Sequence, residues 1–164
     1  MDVLLSIKPK YVDAILKGEK KYEFRKIIFK NKNIKNVYMY STSPVKRIAG
    51  SFVIRNIVCD SPENLWEKFQ DHSGLNKKEF FDYFGKSEKG FAIEIGIIKK
   101  FEIPIDPRVA MPGFTPPLSF YYLYWNLEID KNNIIIQQND PIFYRTSLDL
   151  SNVSSRQEHI SKYF

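Results

Sequence analysis

Gly18-Glu19-Lys20-Lys21-Tyr22-Glu23-Phe24-Arg25 is the stretch from which the rest of the chain is read. Gly18 has the conformational freedom to end a helix in the left-handed region. From Lys21 onward, charged and aromatic residues alternate with the two-residue period of a strand, Tyr22 and Phe24 on one face and Lys21, Glu23 and Arg25 on the other. A carboxylate between cations on a rigid strand reads either as an ordinary ion-pair cluster on an outer face or as the floor of a site. Residue types alone leave both readings open.

Upstream, residues 2–7 read as a short buried strand, and Pro9 suits the first turn of a helix whose apolar face is Tyr11, Val12, Ile15 and Leu16. Downstream, the polar run from Lys30 to Lys35 predicts an exposed loop, followed by a strand over Val37–Thr42 with Tyr38 and Tyr40 on one face and Val37, Met39 and Ser41 on the other. After a Ser43-Pro44 turn, Lys46 to Cys59 predicts a long strand with Ile48, Phe52 and Ile54 opposite Val53 and Ile57. Gly50 within it marks either a bulge or close packing against a neighbour.

Ser61-Pro62 supplies an N-cap and a first turn, leading to a helix that buries Leu65, Trp66 and Phe69. Asn76 and Glu79 repeat that chemistry as a capping box ahead of Phe80, Phe81 and Phe84, and Gly85 stops this second short helix. Gly90 to Ile98 alternates Phe91, Ile93, Ile95 and Ile97 against Ala92, Glu94 and Gly96, a strand pattern. The five prolines between Pro104 and Pro117 predict an extended segment without regular helix. Ser119–Tyr124 is an aromatic segment suited to closing the sheet, and Ile134–Ile136 adds a further strand signal. The reading is an α+β fold built on a curved or closed mixed β-barrel, with short helices between strands. Residues 1–125 form the domain, and residues 126–164 a C-terminal extension of unknown structure.

At 43% hydrophobic and 15% aromatic residues, the 164-residue chain has ample material for a core without staples. A single cysteine, Cys59, and no signal-peptide or membrane-spanning pattern suit a reducing cytoplasmic setting and no membrane partner. Cys59 itself is expected to be buried and inert. Two histidines and one cysteine, far apart, point to no metal and no cofactor. The net charge of +6 is uneven: residues 1–60 carry 13 Lys and Arg against 5 Asp and Glu, whereas the later segments are near balance or acidic. That field suits a polyanion such as nucleic acid; a solvated lysine-rich surface is the other reading.

Leu4-Leu5-Ser6-Ile7-Lys8-Pro9, Gly18-Glu19-Lys20 with Glu23-Phe24-Arg25, Val37-Tyr38 through Tyr40 to Ser43-Pro44-Val45, Gly50-Ser51-Phe52 and Ser119-Phe120 occur in this order. In this the chain resembles the ASCH domain family of the PUA-like superfamily, over about residues 2–124. The Gly-x-Lys-x-x-Glu-x-Arg signature after a short helix is its most specific part. The resemblance implies a small barrel with a cleft lined by the signature strand, and a role on RNA or nucleotides. One branch of the family hydrolyses N4-acetylcytidine with a lysine, a threonine and a glutamate. Lys20 matches that lysine, Glu23 stands where the threonine nucleophile would be, and the third group falls near Asp71-His72-Ser73. Another branch has ribonuclease activity, for which Lys20, Tyr40 and Ser119 are the candidates here.

The ligand-binding candidates are therefore Lys20, Glu23, Arg25, Tyr38, Tyr40, Ser41, Ser43 and Ser119, with Lys20 and Glu23 catalytic if the protein is an enzyme. The cations suit phosphate, the carboxylate an exocyclic amine, and the tyrosines an unpaired base. The leading expectation is a module binding single-stranded RNA or a modified nucleoside. The alternatives are a cofactor-free amidohydrolase or ribonuclease, and a protein-interaction module in transcription or translation regulation whose partner docks on residues 126–164.

Overall fold

The computed structural model describes residues 1–111, 113–123, 127–130 and 133–136. In chain order these form β1 (Asp2–Ile7), α1 (Pro9–Leu16), β2 (Tyr22–Arg25), β3 (Asn36–Ser41), β4 (Arg47–Asp60), α2 (Pro62–Phe69), a 3₁₀ turn (Gln70–His72) and α3 (Lys77–Phe84). They continue as β5 (Gly90–Ile105), α4 (Pro107–Ala110), β6 (Phe120–Leu123), β7 (Leu127–Asp130) and β8 (Asn133–Ile136). Six strands make one curled sheet in the order β2-β5-β4-β3-β1-β6, and β7 and β8 pair with each other in a second sheet. β1 and β3 run parallel, and the other pairs are antiparallel. The architecture is the mixed α+β, barrel-like one read from the sequence, curled into a half-barrel whose edge strands are β2 and β6.

The two long strands supply the curl, and irregularities in their ladder decide which residues face which core. Gly50 lies so close to β5 that a Cβ there would sit 2.5 Å from the Lys99 carbonyl oxygen. The register also shifts on both sides of it, between Met39 and Tyr40 and between Ile48 and Gly50. Both sequence readings of Gly50 thus hold at once. The shift changes which face a residue meets: Phe52, paired with Val37, packs in a core with Met39 and Ile93, whereas Ile48, paired with Tyr40, packs with Tyr38, Phe101 and Tyr121. A third cluster joins Phe24 and Ala92 to Leu65, Phe80 and Phe84 of α2 and α3.

Local capping chemistry follows the sequence closely. Ser61 accepts from the Asn64 amide, Asn76 and Glu79 close a capping box, and Gly85 ends α3 with a positive φ.

The face expected to hold Ile48 together with Phe52 and Ile54 is thus split between two cores, and three further expectations need correction. The alternation from Phe91 holds as far as Ile95; then an extra residue of β5 opposite Phe52–Ile54 turns Ile97 outward, 77% exposed, and Ile98 inward. The proline-rich stretch does contain a helix, the single turn α4, because Pro107 occupies the first helical position, where no amide is needed, and Asp106 caps it by accepting from Arg108 N at 3.0 Å. Cys59 is exposed, since its neighbour Val58 takes the inward side of β4. The stretch from Asn139 onward lies outside the described residues, and Ile134–Ile136 falls in β8.

Candidate functional site

A cavity of about 890 Å³ opens between the two edges of the curled sheet. Residues 23–27 line one side, and Pro117, Leu118 and Ser119, just before β6, line the other. Ser6 and Ile7 from the end of β1, Tyr11 of α1, and Glu79, Asp82 and Tyr83 of α3 also line the cavity. The curl therefore brings together residues more than a hundred positions apart.

Lys20 is placed before β2 begins. Gly18, at φ +76, donates its amide to Ile15 O at 2.9 Å, and the amides of Glu19 and Lys20 both return to Ala14 O, closing α1 tightly. Lys21 then joins two segments, its amide on His72 O and its carbonyl taking the Ile95 amide, each at 2.9 Å. The Lys20 side chain is thus carried inside the protein, where it is 1% exposed.

Its ammonium donates to Ser73 O at 2.5 Å and lies 3.7 Å from Glu23 Oε2, with the rings of Phe24 and Tyr11 5.0 and 5.4 Å away. Burial pushes the Lys20 pKa down to about 8; Glu23 opposes that shift and Arg25 adds to it. The other Glu23 oxygen pairs with Arg25 Nη2 at 3.0 Å, and the same Nη2 donates to Ser6 O at 2.8 Å, crossing from β2 to β1. Arg25 Nε is buried without a hydrogen-bond partner.

Two cations thus share one carboxylate in a nearly dry setting beside the cavity, leaving an excess positive charge and a buried N–H without a partner. A group of that kind can receive an anionic oxygen or a carbonyl. Burial on both faces also explains why the charged side of β2 was not a solvated surface: Glu23 and Arg25 are 6% and 7% exposed.

Of the residues singled out from sequence, Lys20, Glu23, Arg25 and Ser119 meet at this cavity. The others do not line it. Tyr38 and Tyr40 are in the second core cluster, their rings against Phe101 and Phe114, because the curled sheet covers that face of β3 as well. Ser41 is buried in β3, Ser43 is exposed in the turn, and Thr42 between them reaches the cavity instead. His72 is exposed, and the segment near it presents a backbone carbonyl, not an acidic side chain, to Lys20.

Sequence reading placed a third group near Asp71-His72-Ser73 but missed Gly74 and the part played by Ser73 in fixing the turn. The Ser73 hydroxyl lies 2.9 Å from Gln70 O and 3.0 Å from Leu75 O, and it accepts the Leu75 amide, fixing the turn. Gly74, at φ +69, passes so near Lys20 that a Cβ would come within 2.9 Å of the Lys20 Cβ. The resemblance brought this segment to Lys20, but nothing local showed that a backbone carbonyl and a glycine would meet it. Tyr11, Tyr83, Ile27 and Leu118 were also missed as site residues, Tyr11 having read only as an apolar helix face.

Residues 1–113 match the family described as a domain of unknown function, DUF365. The chain belongs to this family. An ASCH domain-containing ribonuclease from Zymomonas mobilis is 27% identical over 128 residues, which span 74% of this chain and 84% of that protein. The crystal structure of ASCH from Zymomonas mobilis superposes with a TM-score of 0.70 at 27% identity, covering 74% of this chain and 87% of that one. A mutant of that protein with one tyrosine replaced by phenylalanine superposes with a TM-score of 0.70 at 26% identity, over 74% and 89% of the two chains.

The folded unit is thus an ASCH domain. Large ribosomal subunit protein uL22 of Ureaplasma parvum is 28% identical over 105 residues, 63% of this chain and 33% of that longer protein. Within the ASCH domain, the Gly-x-Lys-x-x-Glu-x-Arg signature runs from the turn after α1 through β2 and delivers all three of its charged side chains to the cavity. Among the described residues, no group of three or more His, Cys, Asp or Glu side chains is placed to hold a metal ion, and no helix is long and apolar enough to cross a membrane.

Proposed function

We propose that the ASCH domain binds single-stranded RNA or a nucleotide in the cavity between β2 and β6. The observation that carries this reading is the buried Lys20–Glu23–Arg25 group with its unpartnered Arg25 Nε. A phosphate oxygen in the cavity balances the excess charge of that group, and a carbonyl oxygen of a base can accept from it. The basic first third of the chain attracts a polyanion towards it, and the Zymomonas relative is named a ribonuclease. Fluorescence anisotropy with labelled single-stranded RNA tests the reading. Binding that weakens with salt, and roughly tenfold further in Arg25→Gln, is expected. Absence of binding at low salt, or an affinity untouched by Lys20→Ala combined with Arg25→Ala, overturns it.

A second reading, cofactor-free RNA cleavage, is favoured by an ammonium with a pKa of about 8 on a cavity that Ser119 also lines. Such a lysine can exchange a proton near neutral pH. Both Glu23 oxygens are turned to cations, which favours Lys20 over Glu23 as the proton-transfer group. Gel analysis of labelled RNA incubated with the protein and a chelator decides it: an intact substrate at high enzyme excess, or cleavage unchanged in Lys20→Met, ends this assignment.

A further inference from the structure

Two large apolar side chains stand in water at the mouth of the charged cavity. Leu118 is fully exposed and Ile27 is 66% exposed, and both belong to the cavity lining. Scattered exposed hydrophobic residues are normal on a protein surface. Here, however, each sits beside backbone that is held in place. Around Leu118, the Ser6 hydroxyl donates to Pro117 O at 2.7 Å and the Ser6 amide to Ser119 O at 3.3 Å. Next to Ile27, the Lys26 amide donates to the Tyr83 hydroxyl at 3.3 Å, and the Tyr83 ring stands edge-on to Phe84. The backbone flanking each side chain is thus anchored to β1 or α3. The cavity therefore has two unlike parts, a buried floor of Lys20 and Arg25 and an exposed apolar mouth.

We propose that Ile27 and Leu118 form a rim that takes the apolar face of one unpaired base, while the phosphate of its nucleotide rests on the Lys20 and Arg25 floor. This deepens the RNA reading above and rests on it. It also moves the base-contacting role from Tyr38 and Tyr40, which are core, to side chains that reach solvent. Aliphatic contacts carry no hydrogen-bond code, so the rim accepts any base, and it requires the base to be out of a duplex. The ligand class is thus a single-stranded or terminal, unpaired ribonucleotide bound without strong base preference.

The apolar and ionic parts are separable by salt. Rim contacts release no counterions, so removing them weakens binding and leaves the salt slope unchanged, whereas removing a floor cation lowers the slope. The experiment is anisotropy of a short fluorescein-labelled RNA with the full chain, its Ile27→Ser and Leu118→Ser variants, and Leu118→Tyr, over a range of salt. The expected result is a roughly five- to tenfold loss for each serine variant with wild-type slope and wild-type melting temperature, and retention or gain in Leu118→Tyr. An abasic strand of equal length should bind the wild type as weakly as the RNA binds the serine variants. Wild-type affinity in both serine variants, a changed salt slope, or full affinity for the abasic strand overturns the rim while RNA binding stands. Failure of the wild type to bind the RNA at all overturns both readings.

Discussion

Lys20 is an ammonium held away from water by Phe24, Tyr11 and the Gln70–Leu75 turn, with half of one carboxylate to balance it. Its folded pKa of about 8 lies below the ordinary 10.5, so between those values the unfolded chain binds more protons than the folded one. Stability contributed through this group therefore rises as pH rises from 8 towards 10.5, and the cost of burying the charge is present in full below 8. RNA binding has the opposite sign, because it uses the protonated form. Affinity should fall as pH passes through about 8 while the exposed lysines remain charged, and Lys20→Arg should remove that fall. Anisotropy from about pH 7 to about pH 9 checks this, and a flat wild-type profile across that range refutes it. Glu23→Gln is a harsher change. It leaves two buried cations without a counter-charge and should cost about 3 kcal/mol or more in urea unfolding, whether or not ligand is present.

At the scale of elements, the register of β4 against β5 decides the shape of the site, because it sets the curl that brings β2 near Pro117–Ser119. Gly50→Ala puts a Cβ 2.5 Å from the Lys99 carbonyl oxygen, a clash with backbone that no rotamer change relieves. It should cost about 1 to 3 kcal/mol, read as a lower urea midpoint with an unchanged slope. Gly50 was legible because a glycine inside a strand pattern has few causes, and so were the caps at Ser61, Asn76, Glu79 and Gly85, whose chemistry lies within four residues of sequence. The outward turn of Ile97 was not legible. It depends on an extra residue relative to β4, and a strand's own alternation carries no record of its partner. Tyr38 and Tyr40 failed as ligand contacts for a related reason. Alternation showed correctly that they share a face, but not that the curl gives that face a second core.

Across the whole molecule, the same distinction separates the seen half of the cavity from the unseen one. Lys20, Glu23 and Arg25 stood out because six residues contain them, while Ser6, Leu75, Tyr83 and Leu118 reach the cavity only through β1, the turn before α3, α3 itself and the approach to β6. The extent of the folded unit is open to a direct test. The three core clusters of the described residues end at Leu123, the family match ends at residue 113, and β7 and β8 pair with each other apart from the six-stranded sheet. The boundary proposed at residue 125 then predicts that a chain cut there keeps a single cooperative unfolding transition and holds RNA affinity within about twofold of the full chain. Calorimetry and anisotropy on the two chains measure both. A truncated chain that unfolds without cooperativity assigns residues 126–164 to the fold. One that melts normally and loses RNA assigns them to the site. One that keeps both properties leaves those residues free for a separate partner, and a pull-down comparing the two chains would then look for it.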